Sequence, residues 1–176
     1  MLGLKRGIVV LCPHEKEWET VAAQTICCLK EAFGPNAEDI RHVGSTSIKT
    51  ICAKPIIDIA VHARDFDWFI REKDSLLPYG LQFRGEDVER EILYVIGEGD
   101  FITHHIHICR PGSDEWKNYL RFSGYLNAVP EAAGEYEALK KQLAEEYAFD
   151  RPSYTMGKEK LIKRLLAEAA QWEKTI

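Results

Sequence analysis

The sequence predicts an α+β fold: a mixed β-sheet flanked by helices, with a helical C-terminal region. Three observations carry this. An early strand–turn–strand unit spans Ile40–Val61, three short runs of strand-forming residues follow each other between Leu81 and Cys109, and the last third of the chain is amphipathic at helical spacing. The 176 residues suffice for one domain with a continuous core, so a single domain over 1–176 is expected.

Taken in order, Glu15–Phe33 places Trp18, Val21, Ala22, Ile26, Leu29 and Phe33 at steps of three and four, the stripe of a helix opened by Pro13 and ended by Gly34-Pro35. Ile40–Val43 reads as a strand entering the Gly44-Ser45-Thr46-Ser47 turn and a short helix, and Pro55–His62 as an isoleucine-rich strand. Asp65–Leu77 has helical rhythm up to Pro78 and Gly80. Leu81–Arg84, Val88–Ile96 and Phe101–Cys109 are strands whose connections are too short for crossovers, so they pair antiparallel. Helices are expected over Asp114–Asn127, Glu131–Ala148 and Met156–Glu173.

Composition narrows the function classes. A formal charge of −5 argues against sequence-independent nucleic-acid binding, which needs a basic surface to displace counterions. No apolar run approaches the length of a membrane span and no cleavable leader is evident, so no membrane is expected and the location read from the sequence is cytoplasmic. The five cysteines form no C-x-x-C pair and read as reduced thiols.

Candidate chemistry centres on Asp58. Strand alternation puts Ile57, Ile59 and Val61 on one face and Ile56, Asp58, Ala60 and His62 on the other. A charge there needs a basic partner, backbone amides or a cation such as Mg²⁺. Just upstream, Gly44 lets the backbone approach a ligand, while Ser45, Thr46 and Ser47 offer phosphate donors or helix caps. Lys54 supplies a point charge to a phosphate or pairs with a surface acid, and His42 reads as a hydrogen-bonded scaffold residue. In "FITHHIHIC", His105 and His107 share a face with Thr103 and Cys109, while His104 faces the other way and reads as structural. The paired imidazoles admit three roles: ligands that tilt an Asp–His–His site from Mg²⁺ toward Mn²⁺ or Zn²⁺, a general base, or hydrogen-bond partners in the sheet. The same run is an incomplete histidine-triad signature with Cys109 in the third place. Arg90 alternates with Ile92 and Tyr94, and Glu89 and Glu91 lie opposite, so one of these charges reaches the pocket.

A glycine–serine turn after one strand and an acid on the next resembles the nucleotidyltransferase superfamily of DNA polymerase β-like enzymes. "HVGSTS" followed by "AKPIIDI", "HHIHI", "FSGYL", "PEAAGEYEALKKQLA" and "YTMGKEKLI" resembles, over nearly the whole chain, the GrpB family, a nucleotidyltransferase-like group also found fused to dephospho-CoA kinase. The resemblance implies a nucleotidyltransferase-like mixed sheet, a divalent metal at Asp58 with His105 or His107 as further ligand or base, and transfer of a nucleotidyl group from a nucleoside triphosphate to a small-molecule acceptor. It also implies that Tyr136, Lys140, Tyr154 and Lys158 recur, with Lys158 the residue of that group expected in the pocket. The sequence departs from the pattern at Ala60, where the wider superfamily has a second carboxylate, at Ser123-Gly124, and at Lys49-Thr50. These departures bear on substrate identity and on catalysis itself. A non-catalytic nucleotide-sensing or partner-binding module and a metal-dependent phosphohydrolase are the alternative functions.

Overall fold

The computed structural model describes residues 1–87 and 91–175. The strands are Leu4–Lys5 (β1), Ala37–Val43 (β2), Ile57–Ala63 (β3), Gln82–Asp87 (β4), Glu91–Glu98 (β5) and Phe101–Cys109 (β6); the helices are Glu17–Phe33 (α1), Trp68–Arg71 (α2), Glu115–Ala128 (α3), Pro130–Glu146 (α4) and Arg151–Trp172 (α5). The expected strand start at Val88, with Glu89 and Arg90, lies outside the described residues, as does Ile176.

The sheet order is β2-β3-β6-β5-β4, and β1 pairs with β6. β3 and β6 run parallel, and every other pair is antiparallel. The sheet is therefore mixed, with its one parallel pair at the centre. That pair sets Asp58 beside His105 and Ala60 beside His107. Strand alternation does the rest: Ile57, Ile59, Val61, Ile106 and Ile108 form the opposite face and pack with Trp18, Ala22, Leu29 and Phe33 of α1. Phe33 meets Phe69 of α2 edge to face at 4.9 Å, a geometry that adds roughly 0.5–1.5 kcal/mol beyond burial. A second core joins Ile48 and Ile51, from the loop between β2 and β3, to Leu126, Ala133, Tyr136 and Leu165 of the C-terminal helices. The cleft lies between these two cores.

Several boundaries differ from the sequence reading, each for a local reason. The helix expected over Asp65–Leu77 is one α-turn, α2, followed by a 3₁₀ stretch over Lys73–Tyr79 that contains Pro78. Asp65 Oδ1 accepts from the Trp68 amide, so the helix starts three residues later than its periodicity suggests. The Gly44 turn leads into a single 3₁₀ turn, Ser45–Ser47. α5 begins at Arg151 because the Asp150 carboxylate caps the Ser153 amide and Pro152 occupies the first turn. This early start brings Arg151 to the cleft.

Candidate functional site

Above the Asp58 face of the sheet lies a cavity of about 520 Å³. Its floor is Asp58, His105, His107 and Leu93; α3 contributes Glu115, Asn118, Tyr119 and Phe122; α4 contributes Tyr136; and α5 contributes Arg151, Tyr154, Thr155, Lys158 and Ile162 from one stripe. Gly44, Ser45 and Lys54 complete the wall.

Asp58 Oδ1 is 3.1 Å from His105 Nδ1 and 3.2 Å from His107 Nε2. Burial opposes ionisation of this carboxyl, but the two imidazoles outweigh it and hold its pKa well below the usual range. On the far side of His107, Nδ1 lies 3.2 Å from Glu91 Oε1, and the Tyr119 hydroxyl donates to Glu91 Oε2 at 2.9 Å. Burial lowers the affinity of His107 for a proton, yet Asp58 and Glu91 together push its pKa up to about 10. His105 goes the other way. Burial pulls its pKa down, Asp58 offsets this in part, and Arg151, whose Nη2 donates to His105 Nε2 at 3.0 Å, adds to the fall.

A conformational reason stands behind the carboxylate's position. Gly44 has φ +68° and ψ −169°, and a Cβ there would lie 2.6 Å from Asp58 Oδ2. Only glycine allows the turn to press against the acid.

The same cavity also carries cationic side chains. Lys54 and Lys158 flank the Tyr154 ring, their ammonium groups 5.3 and 4.5 Å from its centroid. Burial, then repulsion from Arg151 and Lys158, lowers the Lys54 pKa to about 7; burial lowers Lys158 to about 8, with Asp58 opposing and Arg151 reinforcing the shift. Among the described residues no ion pair holds either lysine or Arg151, whereas Asp58 and Glu91 pair with the imidazoles.

Of the residues singled out from sequence, Asp58, His105, His107, Gly44, Ser45, Lys54 and Lys158 line this one cavity. Thr46 and Ser47 do not. Thr46 is fully buried with its hydroxyl 2.9 Å from His42 Nε2, and Ser47 Oγ donates to the Gly44 carbonyl at 2.7 Å, beside Ser123 Oγ at 3.1 Å. Their hydroxyls brace the turn. His104 faces α1, bonded to Thr25 and Thr103, and burial drives its pKa down to about 4. Lys140 is buried and donates to the Cys52 carbonyl, pinning α4 to the loop before β3. Sequence reasoning missed Tyr119 and Arg151. Asp150 ahead of Pro152 was the available signal for Arg151, since an N-cap there makes it the first helical residue.

Asp58, His105 and His107 each offer one ligand atom, all within 4.8 Å of one another. Their spacings of 3.1 and 3.2 Å match neighbouring ligands around an ion with bonds of about 2.0–2.2 Å. One carboxylate and two imidazoles suit Mn²⁺ or Zn²⁺ better than Mg²⁺. Glu91 behind His107 stands where an outer carboxylate would fix a ligating imidazole.

The mixed sheet, with flanking helices and a cleft facing its central parallel pair, is a nucleotidyltransferase-like fold. Solved structures of a cytoplasmic RNA terminal U-transferase (TM-score 0.52, 16% identity, 77% of this chain and 41% of that one) and of the Cid1 poly(U) polymerase with MgGTP bound (TM-score 0.51, 16% identity, 77% and 44%) share it. Within that class the chain belongs to the GrpB family: the GrpB protein profile matches residues 8–168. It is 35% identical over 175 residues to the glutamate-rich protein GrpB of Alkalihalophilus pseudofirmus, covering 96% of this chain and 99% of the relative. The crystal structure of the conserved protein GrpB from Enterococcus faecalis superposes with a TM-score of 0.85 at 27% identity, over 93% of this chain and 99% of that one.

Proposed function

We propose that the protein transfers a nucleotidyl group from a nucleoside triphosphate to a small-molecule hydroxyl or phosphate in a metal-dependent reaction. One observation carries the reading: a single cavity has an acid–imidazole pole at Asp58, His105 and His107 and a cationic pole at Lys54, Arg151 and Lys158, whose members have no ion pair among the described residues. A divalent cation with an attached polyphosphate is complementary to that split. The aromatic wall of Tyr119, Phe122, Tyr136 and Tyr154 suits the base and sugar.

In this reading Asp58, His107 and His105 hold the cation, which when bound neutralises charge on the α-phosphate and favours ionisation of the acceptor. Lys54, Arg151 and Lys158 hold the β- and γ-phosphates, with Gly44 and Ser45 against the chain of phosphates. The acceptor oxygen, which as a hydroxyl gives its proton to solvent, bonds to the α-phosphorus as the bond to the bridging oxygen breaks, and pyrophosphate leaves onto Lys54, Arg151 and Lys158. Titrating ATP with Mn²⁺ against the wild type and Asp58→Ala tests the site. Loss of metal-dependent binding in the variant supports it; an unchanged Mn²⁺-dependent affinity rejects it.

Ala60 favours a second reading, a non-catalytic nucleotide-sensing module. It is fully buried with Val43 and Cys109, Tyr119 packs against this cluster, and no second carboxylate stands on this strand beside Asp58. Pyrophosphate release from a panel of nucleoside triphosphates, with Mg²⁺, Mn²⁺ or Zn²⁺ and a metabolite extract, separates the two: turnover marks the transferase, tight binding without it the sensor.

A further inference from the structure

The two imidazoles present different nitrogens to Asp58, and their outer neighbours dictate their tautomers. His107 Nδ1 faces Glu91 Oε1, an acceptor, so that nitrogen carries a hydrogen, while Nε2 donates to Asp58 Oδ1 in the free protein and can give that proton to solvent to free a lone pair for an ion. His105 is held the opposite way. Its Nε2 lies 3.0 Å from Arg151 Nη2, and a guanidinium has donors but no acceptor, so Nε2 must accept. The hydrogen of a neutral His105 therefore sits on Nδ1, 3.1 Å from Asp58 Oδ1, where it donates to the carboxylate. A nitrogen bearing that hydrogen has no lone pair for a cation.

Arg151 also stands at the cationic pole with Lys54 and Lys158, so an oxyanion seated there competes with His105 for the same guanidinium. We propose that Arg151 couples the two poles: a phosphate group drawn onto Lys54, Lys158 and Arg151 takes the guanidinium off His105, whose hydrogen moves from Nδ1 to Nε2, and Nδ1 becomes the third ligand of a divalent cation already held by Asp58 and His107. The imidazole stays neutral throughout, giving one proton to solvent at Nδ1 and taking one at Nε2. This rests on the reading of the cavity as a cation–phosphate site and adds an order to it, because the cation is fully held only once the phosphates are in place. Arg151 is a positioning residue in this scheme, and reciprocity requires the cation to tighten the anion by the same factor.

Two measurements on the full chain test it. Long-range ¹H–¹⁵N correlation of the imidazoles, with His105 assigned by its loss in His105→Gln, reads the tautomer directly: the hydrogen is expected on Nδ1 in the free protein and on Nε2 with Zn²⁺ and sulfate. Mn²⁺ affinity is then measured with sulfate or ionic-strength-matched chloride. Sulfate should tighten Mn²⁺ binding to the wild type by about tenfold or more, within the usual range of coupling between sites. Arg151→Met should bind Mn²⁺ more tightly than the wild type in chloride and gain little from sulfate, whereas Lys158→Met should still gain from sulfate, at a higher sulfate concentration than the wild type needs. A free-state hydrogen on His105 Nε2, Mn²⁺ binding indifferent to sulfate, or weaker binding by Arg151→Met in chloride would each overturn the coupling and leave the cation site standing. Failure of the wild type to bind Mn²⁺ in any condition would overturn both.

Discussion

Replacing Gly44 with alanine should cost both stability and the order of the acid. The added Cβ would lie 2.6 Å from Asp58 Oδ2, 2.8 Å from its Cβ and 3.0 Å from its Cγ, closer than side chains tolerate. The backbone at φ +68° and ψ −169° is essentially reserved for glycine, and holding alanine there costs roughly 1–3 kcal/mol. Relieving the contact turns Asp58 away from His105 and His107, and a weakened charged hydrogen bond adds about 1–2 kcal/mol. The total of about 2–5 kcal/mol corresponds to a fall in Tm of about 4–20 °C for a chain of this length. Thermal and urea unfolding of Gly44→Ala, Asp58→Ala and the double variant give the assay. Because Asp58→Ala removes the two contacts beyond Cβ, Gly44→Ala should cost less in that background, leaving mainly the backbone cost. Equal costs in both backgrounds, or a loss under about 1 kcal/mol in the wild type, would refute the argument that the turn is shaped around the carboxylate.

Glu91→Gln keeps the shape of the side chain but removes the charge behind His107, and should weaken Mn²⁺ or Zn²⁺ binding by about 10–100-fold, read by calorimetry. Lys140 has its folded pKa lowered to about 7, by burial first and then by Lys158, so the unfolded chain binds the extra proton between that value and the ordinary lysine range. Stability from this group therefore rises with pH above 7, and Lys140→Met should flatten the slope of unfolding free energy between pH 7 and 9; an unchanged slope would count against a strained buried lysine. Gly157→Ala would bring a Cβ within 2.6 Å of Leu143 Cδ2 and press α5 off α4, a loss of about 1–3 kcal/mol in urea unfolding.

What could be read from the sequence was what repeats locally. Alternation placed His105 with His107 and set Asp58 apart from the isoleucines, because side-chain parity within a strand needs no knowledge of its neighbours. That the acid falls directly beside His105 depends on the parallel register of β3 and β6, formed between segments 47 residues apart, and no local pattern encodes it. Glu91 reads from the sequence as one of three charges of which one should reach the pocket; that it stands behind His107 depends on the register of β5 on β6, which sets Leu93 beside His107 and Glu91 beside Cys109. The serines and threonine of the turn read from the sequence as phosphate donors or helix caps alike, since exposed hydroxyls and inward-bonded ones look the same in one dimension. In the fold, Thr46 is claimed by His42, and Ser47 by Gly44 and Ser123.

The burial of Ala60 shows what occupies the place where a second acid could stand on β3. A methyl group at that place leaves room for the Tyr119 ring, whose hydroxyl reaches over to Glu91. The second negative charge of this region therefore stands two strands across the sheet from Asp58, on the far flank of His107. An aspartate at 60 would crowd the phenol and orphan its acidic partner, so a second acid cannot be added to this strand by a single exchange.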